Sequence, residues 1–110
     1  MHLTIMAHEE ALVASLTLDL LGESERVGEC VGAALEELVA DLEASGAMIG
    51  HVKAALSRVT PIMLFNSVGG GVTGKTCRGD AYRLELAAIV FFVDQEKLLS
   101  TVQDVVKQLT

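Results

Sequence analysis

The chain has 110 residues, 51% of them hydrophobic, and a formal net charge of −7. That length suits one domain, residues 1–110, able to bury about two-thirds of its unfolded surface without staples, and the apolar fraction excludes a disordered chain. The acidic balance argues against a general nucleic-acid binder, and the longest uncharged apolar run, Leu86 to Val93, is far short of the ~20 residues that a spanning helix needs.

Residues 1–10 fit either a short strand or a loosely held end. From Ala11 onward, Leu12, Ala14, Leu16, Leu18 and Leu20 alternate with Val13, Ser15, Thr17 and Asp19. Period two predicts a strand with one buried face, with a helix from Glu9 as the competing reading. Gly22 ends this element and Ser24 is placed to cap the next one.

Val27, Cys30, Val31, Ala34, Leu35, Leu38, Val39 and Leu42 then recur at helical spacing, with Glu25, Glu29, Glu36, Glu37, Asp41 and Glu43 around the remaining surface. An amphipathic helix of about six turns follows, closed by Gly46 at C′. Gly28 and Gly32 cost roughly 1 kcal/mol each against alanine inside a helix, which close approach to a neighbouring element would offset.

Met48, Gly50, Val52, Ala54 and Leu56 alternate with Ile49, His51, Lys53 and Ala55, giving a strand over about 47–58. Thr60-Pro61 marks a turn or strand start, Ile62 to Val68 a strand, and residues 69–79 a loop. Tyr82 to Val93 reads as a long strand, half solvated at first and apolar on both faces from Ala87. Asp94 caps a closing helix whose stripe is Leu98, Leu99, Val102, Val105, Val106 and Leu109.

The order β-α-β-β-β-α predicts an α+β two-layer sandwich, with two amphipathic helices on a mainly antiparallel sheet of about four strands. It is close to ferredoxin-like topologies, an analogy of fold that carries no function.

One motif stands out. Gly69-Gly70-Gly71-Val72-Thr73-Gly74-Lys75-Thr76 satisfies the phosphate-loop pattern, in which Lys75 and Thr76 would meet phosphate and Mg²⁺. Asp94, ending an apolar run, is the matching candidate for the metal. The pattern needs a helix directly after the loop, yet Gly79 falls in what would be its first turn and residues 82–92 fit a strand. The stretch therefore reads as the tip of a long β-hairpin. A small anionic ligand on its backbone amides is the remaining alternative.

His51 and Lys53 share one strand face and, with Asn66, Ser67 and Arg78, make a second candidate ligand site. No catalytic constellation and no cofactor is indicated. His2, His8, Glu9 and Glu10 match no usual zinc spacing. Cys30 and Cys77 form no C-x-x-C unit, and the start lacks a basic signal-like region, so the expectation is a reduced, cytoplasmic setting with idle thiols.

Residues 1–45 hold ten acidic side chains and one basic, whereas residues 46–84 hold five basic and one acidic. Opposite-sign surfaces steer association. The functional expectation is a small binding or interaction protein that forms a homodimer and has no membrane or nucleic-acid partner. The alternative is nucleotide or phosphate binding at Gly69 to Thr76.

Overall fold

The computed structural model describes residues 1–59, 63–67, 69–76 and 81–110. In chain order these form β1 (His2–His8), β2 (Ala11–Leu21), α1 (Ser24–Ala44), β3 (Met48–Arg58), β4 (Met63–Asn66), β5 (Thr73–Thr76), β6 (Ala81–Phe91) and α2 (Gln95–Leu109). The main sheet has the order β1-β2-β6-β3 and is antiparallel throughout, while β4 and β5 pair as a separate two-stranded ribbon. This is an α+β fold with both helices on one face of the sheet.

The periodicity of the strands decides which face is covered. On β2, Ala14, Leu16, Leu18 and Leu20 are buried, and on β6 so are Tyr82, Leu84, Leu86, Ala88 and Val90. Register places Leu16 opposite Leu86 and Ala14 opposite Ala88, so the two rows merge into one apolar floor. Val27, Val31, Ala34, Leu38 and Leu42 of α1 and Leu98, Val102 and Val105 of α2 close over it. Leu42, Leu84, Leu98 and Val102 lose all contact with solvent. Each such side chain contributes about 1.5–3 kcal/mol of transfer free energy.

The first ten residues resolve to a strand: β1 forms a hairpin with β2 and contributes half-buried Leu3 and Ile5 to the edge of the core. Its two-residue turn is Glu9-Glu10, with Glu9 at φ +55°. Strands β2 and β3 lie parallel on either side of β6, joined by a crossover through α1. The outer position beside β2 is taken by β1.

Helix α1 ends as its sequence predicts. Gly46 sits at φ +93°, and its N–H donates to the Glu43 carbonyl while the Ala47 N–H donates to that of Leu42. This pair of bonds satisfies carbonyls that the helix leaves open. The start differs from expectation. Glu23 is the N-cap, no side chain caps it, and Ser24 is the first helical residue. In α2, by contrast, the Asp94 carboxylate accepts from the Lys97 N–H at 2.7 Å, as a capping side chain should.

Two further expectations are corrected. Gly28 and Gly32 approach nothing: a Cβ on either would meet no atom within 4 Å. They lie on the exposed side of α1. The close approach is at Gly50, where a Cβ would come within 2.8 Å of the Phe91 ring and 3.1 Å of the Ile89 carbonyl oxygen. Gly50 is the extra residue of a bulge, since Ile49 faces Val90 and His51 faces Ile89. The bulge changes the phase of β3, turning Ile49 inward with Val52, Ala54 and Leu56 and leaving Met48 exposed.

Beyond Arg58 the chain leaves the compact part. The Val59 N–H still donates to the Ala81 carbonyl, and β4 and β5 pair further out, so the described strands between β3 and β6 form an arm. The radius of gyration is 17.3 Å and the extents are 57 × 29 × 18 Å. A compact chain of this length would have a radius near 13 Å. The elongation is that of a globular body with a projection.

These contacts fix the sign of three substitutions. Gly28→Ala and Gly32→Ala should each stabilise the fold by about 0.5–1 kcal/mol, because helix propensity improves with no steric cost. Gly50→Ala should destabilise it by roughly 1–3 kcal/mol through overpacking against Phe91. Urea unfolding followed by circular dichroism measures all three.

Candidate functional site

The glycine-rich stretch is a hairpin turn. Gly69, Gly70 and Gly71 all have positive φ, at 98°, 79° and 148°, a path open to glycine at little cost. The Ser67 hydroxyl closes the turn, donating to the Gly71 carbonyl at 2.6 Å and accepting from the Gly69 N–H at 3.3 Å. The chain then enters β5, with Thr73 opposite Asn66, Gly74 opposite Phe65 and Lys75 opposite Leu64. A phosphate loop must hand the chain to a helix so that N-terminal amides face the phosphates. Here Lys75 and Thr76 belong to a strand, and the next described element, β6, is a strand as well. Asp94, the candidate metal ligand, instead uses its carboxylate to cap α2.

The second candidate group is dispersed. His51 and Lys53 lie on β3, whose sheet neighbour is β6, whereas Asn66 is on β4 and pairs only with β5. The strand-to-strand juxtaposition expected from the sequence does not form. Arg78 lies outside the described residues, as do Cys77, Gly79 and Asp80. His51 and Lys53 are exposed on the sheet face opposite the helices, beside Ile89 and Ala87 respectively.

That face is the largest feature the sequence reading missed. It is built by the alternate residues of all four strands and carries no helix. Across it, register aligns Met6 with Val13, Ile89 and His51, and Thr4 with Ser15, Ala87 and Lys53. The next row runs through His2, Thr17, Glu85 and Ala55. Beyond it, Arg83 donates to the Asp19 carboxylate at 3.1 Å. A shallow cavity of about 220 Å³ opens there, lined by His2, Ser15, Thr17, Glu85 and Ala87.

One end of the face is apolar. Met6 is 66% exposed and Ile89 37%, and Phe91 covers Gly50. Phe92, at the strand's exit, is 75% exposed and holds φ +58°. That backbone region costs a bulky residue on the order of 1 kcal/mol or more. The sequence signal was available. The run from Ala87 is apolar on both faces, which predicts burial on both, but Ala87 and Ile89 are exposed.

On the other side of the molecule, α1 and α2 flank a groove of about 580 Å³, with Ala34, Leu38 and Val105 in its floor and Glu37, Asp41 and Asp104 along it. Lys97 meets Asp41 at 3.5 Å across the helices. A third cavity, of about 270 Å³, lies between Leu20, Arg26, Cys30 and Leu109. Among the described residues no group of three or more His, Cys, Asp or Glu side chains is placed to hold a metal ion. Among them, too, no helix is long and apolar enough to cross a membrane.

Comparison with protein-family models, curated proteins and solved structures finds no match to the chain. The functional reading therefore rests on the surfaces just described.

The strand geometry of Lys75 and Thr76 sets an expectation for nucleotides. Calorimetric titration with ATP and GTP, with and without Mg²⁺, should give no saturable signal. Micromolar binding abolished by Lys75→Ala would restore the phosphate-loop reading.

Proposed function

We propose that the chain is a binding protein that works by self-association as a homodimer, with the β4–β5 arm reaching a second copy. The observation that carries this reading is the arm itself. Phe65 is 69% exposed and Val72 70%, on a projection that lengthens the molecule to 57 Å. A solvent-facing aromatic on a ribbon of two short strands gains little from its own chain, since an isolated hairpin is marginally stable in water. Contact with a partner would supply what the ribbon lacks.

Charge supports the same reading. The acidic side chains of α1 and the cations of residues 46–84 give the molecule two unlike regions, an arrangement that favours encounter between copies. The exposed Cys30 thiol suits a reducing, cytoplasmic setting.

Size-exclusion chromatography with light scattering tests the reading at physiological salt. The expected mass is twice the chain mass of 11.6 kDa. Replacing residues 60–80 by an Asn-Gly turn joins β3 directly to β6 and should weaken association about tenfold, with the helical circular dichroism retained. A monomeric mass for the intact chain at high micromolar concentration would falsify self-association.

A further inference from the structure

The feature that demands an explanation is the uncovered face of the main sheet. Antiparallel sheets leave one face to water when that face is polar, and strands buried on both faces read as continuous apolar runs. Strand β6 has the second pattern in the first setting. Its outer positions from Ala87 onward are Ala87, Ile89 and Phe91, and register extends this apolar strip to Val13 and Met6. We propose that this face packs against the same face of a second copy of the chain, across a two-fold axis. The inference rests on the self-association proposed above and adds to the arm a second contact surface.

Three observations select a second copy as the occupant. The first is size. Three strands of eleven residues and one of seven, at about 4.8 Å spacing and about 3.4 Å per residue, make a face of roughly 650 Å². A stable complex of standard size buries about 800 Å² on each partner, so one sheet face against another accounts for nearly the whole requirement.

The second is charge. The chain carries −7, which opposes self-association wherever the acid is concentrated. The open face carries Lys53 and Arg83 against Asp19 and Glu85, two charges of each sign, while most of the excess acid lies on α1 in the opposite layer. Face-to-face pairing therefore holds the two acidic α1 helices apart, on the outside of the pair.

The third is relief. The two central strands place small side chains, Ser15 and Ala87, side by side on the face, which permits the ~10 Å approach of packed sheets. Around them stand Met6 and Ile89, long enough to interdigitate, so a partner of identical shape meets bulk with space. A two-fold axis makes such a surface self-complementary, since each residue on one copy meets its counterpart's neighbour on the other.

The test uses the intact chain and compares three proteins by sedimentation equilibrium: wild type, the double variant Met6→Glu with Ile89→Glu, and the arm-shortened chain. Both substituted residues are partly exposed in the monomer, so unchanged circular dichroism is expected. Burying two added carboxylates per copy in the interface should weaken dimerisation by at least about 100-fold. Intermolecular nuclear Overhauser effects in a mixed-label wild-type sample, from the Met6 methyl and the Ile89 methyls, give a reading that needs no variant.

A dimeric wild type whose double variant is monomeric, with those cross-peaks present, supports the inference. A double variant that dimerises as tightly as wild type, alongside a monomeric arm-shortened chain, overturns the sheet-face interface and leaves self-association through the arm standing. The same follows if the wild type is dimeric and the cross-peaks are missing. A monomeric wild type overturns both.

Discussion

Strand β6 is bonded along both edges, to β2 on one side and β3 on the other, and the rest of the molecule follows from that position. Because both neighbours run antiparallel to it, they run parallel to each other, and the chain between them must cross over the sheet. Helix α1 makes that crossing. The alternation of β6 sends Tyr82, Leu84, Leu86, Ala88 and Val90 to the helical side without exception, all of them buried. At its upstream end, Tyr82 is covered by Arg58, whose guanidinium lies 5.8 Å from the ring centre and 3.4 Å from the phenol oxygen. A cation over an aromatic ring is worth on the order of 1 kcal/mol, and here it seals the end of the core nearest the arm.

Side-chain periodicity reports which way a residue faces, so the elements with a clean period were legible from sequence. Helix α1 from Val27 to Leu42, helix α2 from Asp94, and strands β2, β3 and β6 all appear where their patterns place them. Periodicity says nothing about which strand lies beside which. The pairing of β4 with β5, and not with β3, separates Asn66 from His51 and Lys53. The bulge at Gly50 was hidden for a related reason: one inserted residue changes the phase of a strand, and its cause is the Phe91 ring, far away in sequence.

The missed features share an origin. Ser24 has the chemistry of a cap, yet the cap position falls one residue earlier, on a glutamate whose carbonyl accepts the first bond. Gly28 and Gly32 suggest a neighbour that is absent among the described residues, and Gly50, which has one, stands inside an unbroken strand alternation. An apolar run shows that burial is wanted without showing where cover comes from. For Ala87, Ile89 and Phe91 the chain covers one side of the strand only, and periodicity has no means of saying so.

The crossover also sets an order in time. Leu16 finds its sheet partner at Leu86, so the leucine row of β2 stays without its inner neighbour until β6 has left the ribosome. At about 5–20 residues per second, the interval between Leu20 and Phe91 lasts roughly 4–14 s. During it, β1 and β2 can close their own hairpin and α1 can coil, but neither can bury its apolar side fully. The β3–β6 pairing, whose ends meet at Arg58 and Tyr82, is closer in sequence and can zip as β6 emerges behind the arm. Docking that ribbon onto β2 is the slow, long-range step. Until it happens the nascent chain presents an unpaired strand edge and an uncovered row of leucines.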